Sequence, residues 1–447
     1  MSLEQIFNFI DKNETKYLEE LRTYVKQPSI STQNKGVEDC AELVKKMMDK
    51  IGFETNIIQI KNGYPVVYGE IMAKKNEKTI IFYNHYDIQP PEPLEEWETD
   101  PFGGEIKEGR MYGRGISDNK ANFTYRIQAI EALLEQLGEI STNVKFVVEG
   151  EEEMGSPNLL GFINDNKKML EADGCIWEGG AVDAEGVPHI RLGNKGILYV
   201  ELRTKGAKVD AHSMNAPLIE NPAWKAVWAL NTFKDNKERI TIDGFHDDIR
   251  EPNKEEYNFV NNTEFGLKEF KETYGLKTLL PGDNNADIWK KFLFEPTCTI
   301  CGFDSGYKGK GTKTVLPSKS VVKVDFRLVA DQRPDDILKK VRKHLDKHNM
   351  SDVEVVKITV LEPSKTPIND PFVKEITKQV KDVYKKEPVI WPTSPGSGPR
   401  YLFTNELNLP TAGIGISNFE SNIHAPNENI KIKDYMQGVK LIASMFK

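Results

Sequence analysis

The sequence is poor in cysteine and has no long apolar run. Four cysteines in 447 residues cannot supply the disulfide framework of a small secreted domain. No apolar run approaches the roughly 18 residues that a membrane-spanning helix needs. The opening residues, MSLEQIFNFIDKNETKYLEE, have neither the basic region nor the apolar core that is typical of a secretory signal. We therefore expect a cytoplasmic protein with no membrane partner.

An excess of positive charge is also absent. Lys and Arg together number 60 and Asp and Glu number 68, so the formal net charge is −8. This balance argues against a nucleic acid as the partner. Charged residues make up 29% of the chain and hydrophobic residues 38%, which is typical of a globular protein. The length suffices for about two or three domains.

Short apolar runs alternate with helical patterns through much of the chain. Runs at 79–83, 144–148, 174–177 and 411–416 are flanked by Gly, Asp or Asn and predict buried strands. Helical spacing recurs in about the first 60 residues and at 121–137, 158–170, 370–384 and 433–446. Strands that alternate with helices predict an α/β fold with a mostly parallel sheet and helices on both faces.

A block of different pattern begins near Gly196. Between 197 and 361 it follows the order strand, helix, strand, strand, helix, strand, which is typical of the ferredoxin-like α+β fold. The polar stretch 234–296 is extra to this pattern. Trp224 and Trp228 lie before it, four residues apart on the first predicted helix of the block, and this spacing indicates core or dimer packing. We therefore expect a discontinuous first domain, 1–195 and 364–447, and an inserted second domain, 196–363.

Acidic residues and histidines follow the predicted strands of the first domain. Ligands bind open α/β sheets at the carboxyl ends of the strands, so these positions are candidates for a site. They are His85 and Asp87 after the first run, Glu151, Glu152 and Glu153 after the second, Glu178 after the third, His424 after the last, and Asp118 before a helix.

Imidazole and carboxylate groups together are the ligand set of a metal site. The mixture suits zinc, and cobalt or manganese could substitute. A bridging carboxylate with two further ligands for each ion would make a two-metal site, and three consecutive Glu would leave one carboxylate free as a base. Each element alone also has a plain structural explanation, Asp118 as part of a helix N-cap and the glutamates as a solvated turn. Spacing alone leaves both alternatives open.

Five sequence boxes lie in order along nearly the whole chain. They are HYD at 85–87, YGRGISDNK at 112–120, EGEEEMGS at 149–156, DAHS at 210–213 and HAPNE at 424–428. With them the chain resembles the zinc aminoacylase/carboxypeptidase family, which includes carnosine-type dipeptidases, glutamate carboxypeptidase, acetylornithine deacetylase and succinyl-diaminopimelate desuccinylase. The length and the segment SPGSGP look most like the dipeptidase and short-peptide carboxypeptidase branch.

The resemblance implies two Zn²⁺ per subunit in a catalytic first domain. Asp118 would bridge both ions. His85 and Glu178 would complete one site, and Glu153 and His424 would complete the other. The inserted domain would be a lid and would form a homodimer.

The resemblance also implies catalytic and substrate-binding roles. Glu152 would be the general base, and Asp87 would orient His85. His212 would stabilise the oxyanion, across the dimer interface. The substrate contacts would be Arg327, which grips a carboxylate, and the loop residues Gly396, Ser397 and Gly398.

Departures from the family pattern leave the substrate open. Glu178 occupies a position at which many dipeptidases have Asp. A Glu at this position is more similar to the carboxypeptidase and acyl-amino-acid members of the family. Asn84 and Ala121 replace common glycines beside ligands. We predict hydrolysis of the amide bond of dipeptides or short peptides with a free carboxylate, with deacylation of N-acyl amino acids as the alternative. A phosphoesterase is disfavoured because no extra basic cluster adjoins the ligands, and a non-catalytic binding protein because every expected ligand and the base are present.

Overall fold

The computed structural model describes residues 2–75 and 78–447. It divides into two compact units. The first unit comprises Met1–Gly193, Lys365–Pro392 and Pro399–Lys447, and the second comprises Asn194–Ser364 and Thr393–Gly398. The short segment Thr393–Gly398, which contains the glycine-rich loop, therefore groups with the second unit although the chain around it belongs to the first.

Helices and strands alternate along the part of the chain that the structure describes. The α-helices there are α1 Leu3–Lys12, α2 Glu14–Lys26, α3 Val37–Ile51, α4 Ala121–Leu137, α5 Leu159–Asp165, α6 Pro222–Phe233, α7 Lys254–Asn262, α8 Leu267–Tyr274, α9 Asn285–Phe294, α10 Pro334–Lys347, α11 Pro371–Tyr384 and α12 Ile432–Met445. The strands are β1 Glu54–Ile58, β2 Val66–Ile71, β3 Thr79–His85, β4 Glu105–Lys107, β5 Arg110–Tyr112, β6 Asn143–Glu149, β7 Gly174–Trp177, β8 Ala181–Val182, β9 Pro188–Arg191, β10 Gly193–Asn194, β11 Gly196–Lys205, β12 Ala211–His212, β13 Thr297–Ser305, β14 Val315–Leu316, β15 Lys319–Leu328, β16 Glu354–Leu361, β17 Ser364–Lys365, β18 Val389–Trp391, β19 Thr411–Gly413 and β20 Asn429–Lys431. Within the described ranges, none of the helices combines the length and the apolar character that crossing a bilayer requires.

The first unit is built on one large mixed sheet. Its strand order is β1-β2-β6-β3-β7-β19-β9-β18, with β8 paired to β9. The central strands β6, β3, β7 and β19 run parallel to one another, whereas β1, β2 and β9 join the sheet in antiparallel pairings. The parallel centre confirms the predicted α/β class, and it brings the carboxyl ends of four strands to one edge.

Both faces of this sheet are covered because its central strands are apolar on both sides. Every residue of β3 is buried. Ile80 and Phe82 lie in a cluster with side chains of α1, α3, α4, α11 and α12, and Ile81 and Tyr83 lie in a second cluster with side chains of α5. Since successive side chains of a strand point to opposite faces, helices cover the sheet on both sides, as predicted.

The second unit is an antiparallel sheet with helices packed against it. Its strand order is β13-β15-β11-β16, and every pairing is antiparallel. Side chains of α6 and α10 pack with Val324 and Phe326 of β15 in a common apolar core. The chain order β11, α6, β13, β15, α10, β16 confirms the predicted ferredoxin-like arrangement, and the extra stretch contributes α7, α8 and α9 between α6 and β13.

Phe146 of β6 lies at the centre of the main apolar cluster. Its ring stacks on Phe82 with 4.9 Å between centroids and meets Phe53 and Phe123 edge-on at 5.5 and 5.6 Å. Replacing it with Ala should cost about 3–5 kcal/mol through lost burial and the cavity left behind. For a unit of this size, we expect the Phe146→Ala variant to melt roughly 5–10 °C lower in calorimetry.

Met72, directly after β2, offers a matched control. Its side chain is 58% exposed, so Met72→Ala removes an apolar side chain without opening a cavity. Its melting temperature should stay within about 1 °C of wild type. Equal shifts for the two variants would contradict the placement of Phe146 in the core.

Candidate metal centre

The polar residues that follow the central strands meet at the edge where these strands end. His85 is the last residue of β3, and Glu178 directly follows β7. Glu152 and Glu153 begin a short turn three residues after β6. The parallel register of β3 with β6 and β7 places all of them at the same side of the sheet. The expected convergence therefore occurs within the first unit.

The two oxygens of the Asp118 carboxylate face different histidines. Oδ1 lies 3.0 Å from Nε2 of His85, and Oδ2 lies 3.2 Å from Nε2 of His424. Each imidazole also approaches a second carboxylate: His85 Nε2 lies 3.6 Å from Glu178 Oε2, and His424 Nε2 lies 3.2 Å from Glu153 Oε2. Two groups of one histidine and one glutamate therefore share Asp118, which is the arrangement of a bridged two-metal site.

The donor set fits a cation because one carboxylate oxygen of Glu178 is buried without a hydrogen-bond partner among the described residues. Trp177 Nε1 donates to Glu178 Oε1 at 2.9 Å. The other oxygen, Oε2, is buried and accepts no hydrogen bond from the described residues. A buried carboxylate oxygen without a partner is costly, and a divalent ion between it and His85 Nε2 would remove that cost. Imidazole nitrogen and carboxylate oxygen are ligands that zinc accepts.

The pKa values show how strongly the histidines and carboxylates interact. Hydrogen bonds with Asp118 and Glu153 raise the pKa of His424 to about 10. Burial raises the pKa of Glu178 to about 7. Although burial opposes it, the hydrogen bonds from His424 and His85 hold the pKa of Asp118 below its usual range. The cluster therefore favours bound positive charge, whether protons or metal ions.

Asp87 joins His85 to the glutamate turn. Its Oδ1 lies 3.4 Å from His85 Nδ1, and its backbone carbonyl lies 3.0 Å from the same nitrogen. Its carboxylate also accepts from the backbone N–H groups of Glu152 at 3.2 Å and Glu153 at 3.0 Å. Because Asp87 is fully buried, it fixes both the ring and the turn from the side away from Asp118.

The three consecutive glutamates point in different directions. Glu151 accepts from the backbone N–H of Tyr64 at 3.2 Å and from Asn158 Nδ2 at 2.9 Å, so it braces the turn. Glu153 faces His424. The Glu152 carboxylate makes no hydrogen bond to the described residues, and removal from water, followed by the nearby charge of Glu178, raises its pKa well above the usual range. A carboxyl group with a raised pKa beside the ligands is suited to proton transfer.

Glu428 is a functional residue that sequence reasoning missed. Its Oε1 accepts from the backbone N–H groups of Ser117 at 2.9 Å and Asp118 at 3.1 Å. Its Oε2 accepts from the backbone N–H of Gly115 and from Arg114 Nη1, both at 2.8 Å. This buried carboxylate thus fixes the backbone of the bridging Asp118. Its signal in the sequence is its place in the HAPNE box, four residues after His424.

Arg126 of α4 was predicted only as part of a helix. Its buried guanidinium donates to the carbonyls of Tyr83 at 3.1 Å, Trp177 at 2.7 Å and Ile414 at 3.1 Å. It also donates to Asn84 Oδ1 at 2.9 Å. The amide side chain of Asn84, at a position where glycine is common in the resembled family, is therefore an acceptor for this arginine. Arg126 links the ends of β3 and β7 with the residue after β19.

The remaining predicted site residues lie in the second unit. Arg327 Nη1 donates to Ser397 Oγ at 2.9 Å, and Ser397 Oγ donates to the carbonyl of Gly196 at 3.1 Å. Gly396 and Gly398 flank that serine. His212 is exposed, with Nδ1 accepting from the backbone N–H of Met214 at 3.1 Å. The predicted residues therefore form two sets, one in each unit.

Replacing Glu428 with Gln tests its hold on Asp118. One oxygen becomes an NH₂ group that faces N–H donors, so at least one donor loses its acceptor. We expect the affinity for a divalent cation to fall by about 10–100-fold, measured by titration against a competing chelator. Glu420→Gln is the control, because Glu420 lies on the same loop with its side chain 62% exposed. Unchanged affinity of the Glu428→Gln protein would contradict the proposed support.

The chain is similar to known proteins over most of its length. The model of Peptidase family M20/M25/M40 matches residues 81–447. The chain is 25% identical to human Beta-Ala-His dipeptidase, with 99% of this chain and 92% of the relative aligned. It is 24% identical to the Cys-Gly metallodipeptidase of Schizosaccharomyces pombe, with 99% and 98% aligned.

A solved structure gives a nearer match. The M20 family metallo-carboxypeptidase of Sulfolobus solfataricus is 39% identical, with a TM-score of 0.91 and with 96% of this chain and 98% of that chain covered. These findings confirm the resemblance carried by the five boxes and the expectation of a metal-dependent peptidase. The chain belongs to Peptidase family M20/M25/M40.

Proposed function

We propose that this protein is a di-zinc dipeptidase or short-peptide carboxypeptidase that cleaves the amide bond next to a free carboxylate. The observation that carries the proposal is the sharing of Asp118 between the His85–Glu178 and His424–Glu153 groups, with the unpartnered Glu152 carboxylate beside them. The names of the relatives, two dipeptidases and a carboxypeptidase, favour peptides over the N-acyl amino acids of the alternative deacylase.

The chain's own ligands divide between two ions. Asp118 would bridge them, His85 and Glu178 would hold one, and Glu153 and His424 would hold the other. Zinc fits this donor set, and cobalt or manganese could replace it. When bound, the metal pair polarises the scissile carbonyl and lowers the pKa of the attacking water.

Glu152 is the general base in this mechanism. Its carboxylate takes a proton from the attacking water and later gives it to the leaving amine, so no net proton is retained. Asp87 holds His85 and the turn of Glu152 in fixed positions during both proton transfers, because it accepts hydrogen bonds from the turn and contacts the imidazole.

The second unit would contribute substrate contacts. Arg327 binds the carboxylate of the substrate, with Gly396, Ser397 and Gly398 beside it, and the hydrogen bond to Ser397 fixes the guanidinium. His212 stabilises the oxyanion that forms from the carbonyl. We assign residues 1–195 and 364–447 to a catalytic domain and 196–363 to an inserted lid and dimerisation domain.

An apolar face on the second unit supports a homodimer. Trp224 and Trp228 of α6 are 57% and 54% exposed and stack on each other with 6.1 Å between centroids. Leu218 and Met214, near His212, are 87% and 75% exposed. Exposed apolar side chains on α6 and on the segment that follows His212 suit an isologous interface at which His212 serves the partner. We place the protein in the cytoplasm, since all four cysteines are free thiols.

Conservative changes of the glutamates test the base and the metal together. Glu152→Gln cannot accept a proton, so kcat for a dipeptide should fall by at least ~10²–10⁴ while metal content is retained. Glu153→Gln should first lower metal content, because Glu153 faces His424. Metal analysis and steady-state hydrolysis of a dipeptide, with its C-terminal amide for comparison, measure both effects.

Glu151→Gln is the matched control, because Glu151 binds Tyr64 and Asn158 instead of the centre. Gln retains an oxygen that can accept from both, as Glu151 Oε1 does, so the turn keeps its support. It should keep both its metal and its kcat near wild type. If Glu151→Gln lost turnover instead, the roles within the run of three glutamates would be wrong. If an exhaustively demetallated sample kept full activity, the metal mechanism itself would be wrong.

Mixing two inactive variants tests whether His212 serves the partner's site. One chain carries His212→Ala and the other carries Glu152→Gln. A random equal mixture of re-formed dimers contains half heterodimers, each with one intact site of two, so about a quarter of wild-type activity should return. Enzyme assays after subunit exchange measure the recovery.

Each variant mixed with itself is the control and should stay inactive. If subunit exchange is proven by mass spectrometry and no activity returns, His212 acts within its own chain. That outcome would refute the shared site and leave the metal chemistry unaffected.

A further inference from the structure

The second unit contains a large cavity with mostly apolar walls. Its volume is about 700 Å³, within the range of small-molecule sites. The walls come largely from α8, α9 and the segment between them, with Phe265, Phe270, Leu279 and Phe292 among the lining side chains. The polar insertion of the ferredoxin-like fold therefore builds an apolar pocket.

Contacts among aromatic rings hold this wall in place. The Phe265 ring lies 5.2 Å from Phe270, 5.8 Å from Phe292 and 5.1 Å from Trp289, measured between centroids. Rings packed in this way are preorganised and lose little freedom when a ligand binds. Leu280, which also lines the cavity, is 77% exposed. An apolar ligand would bury this surface, which is otherwise in water.

Two cations line the same cavity. Lys195 is 3% exposed, and its Nζ donates to the carbonyl of Glu295 at 2.6 Å. Arg327 uses Nη1 for Ser397 and approaches Asp325 through Nε at 3.3 Å. Its Nη2 has no hydrogen-bond partner among residues 2–75 and 78–447. A free guanidinium edge beside a buried ammonium suits an anionic ligand.

The charges of Lys195 and Arg327 repel each other. Burial, and after it the positive charge of Arg327, lowers the pKa of Lys195 to about 8, although Glu295 opposes this. A carboxylate between the two cations would remove the repulsion and satisfy Arg327 Nη2. The cavity thus combines a place for one negative group with a wide apolar space next to it.

We propose that this cavity is the specificity pocket for the C-terminal residue of the peptide, with Arg327 and Lys195 receiving its carboxylate and the walls from α8, α9 and their connection receiving a large apolar side chain. The favoured substrates are short peptides that end in a residue such as Phe, Leu or Met. The proposal rests on the proposed function, because it takes Arg327 as the carboxylate contact. It adds Lys195 as a second cation and assigns a role to the insertion.

Steady-state kinetics test the selectivity. For wild-type protein, kcat/KM for Ala-Phe should exceed that for Ala-Ser by about tenfold or more. In the Leu280→Asn variant, the ratio of kcat/KM for Ala-Phe to that for Ala-Ser should fall about tenfold, mainly because KM for Ala-Phe rises. The variant should fold normally because the Leu280 side chain is exposed. The control is Met72→Asn, an exposed apolar residue at the opposite end of β2 from the metal centre, and it should leave the ratio unchanged. Equal kcat/KM for both peptides would overturn the proposal and leave the peptidase function intact.

Ligand binding tests the pocket without hydrolysis. By calorimetry, 3-phenylpropanoate should bind wild-type protein at least about tenfold tighter than propanoate or 3-phenylpropanamide, and Leu280→Asn should weaken it about tenfold. Equal affinity for the acid and the amide would show that the cations receive no carboxylate and would overturn the proposal. If no peptide is cleaved but phenylpropanoate binds as expected, the proposed function fails and the pocket stands.

Discussion

The buried guanidinium of Arg126 is the contact on which the arrangement of the candidate metal centre depends. Parallel strands have free carbonyl groups at their carboxyl ends, and these groups need donors when they are buried. Arg126 supplies donors to the carbonyls of Tyr83, Trp177 and Ile414 at once. It therefore fixes the distances between strand ends that carry His85 and Glu178. A single arginine can bind all three carbonyl groups because its planar guanidinium carries several N–H donors that point in different directions.

The metal centre is supported by a second layer of carboxylates that bind no metal. Asp87 fixes His85 and the glutamate turn, and Glu428 fixes the backbone of Asp118. Glu151 braces the same turn from Asn158. Lys120, two residues after Asp118, is fully buried and donates to the carbonyl of Tyr24 at 3.0 Å, which ties the bridging segment to α2. His85, Asp118 and the turn of Glu152 and Glu153 are thus held in place by neighbouring side chains.

In the proposed function, catalysis and substrate selection belong to different units of the chain. The first unit holds the proposed ligands and Glu152 at strand ends and in the loops that follow them, so their positions depend on the sheet. The second unit holds Arg327, Lys195 and the apolar cavity, whose walls come from an insertion between α6 and β13. Because the ferredoxin-like core does not need this insertion, the insertion can vary in sequence without disturbing the sheet of the second unit.

The sequence by itself determined the central strands, the order of elements in both units and the family resemblance. Strand runs such as TIIFY are apolar on both faces, so periodicity was enough to predict them. The five boxes carried the family resemblance, and the roles proposed for His85, Asp118, Glu178 and His424 come from that resemblance. The roles of Glu428, Arg126 and Lys195 were decided only by the tertiary structure. Each is a charged residue that is normally found at the surface, and nothing local distinguishes it from a solvated one. Its function comes from partners distant in sequence, such as Glu428 with Asp118, and those distances exist only after the chain has folded.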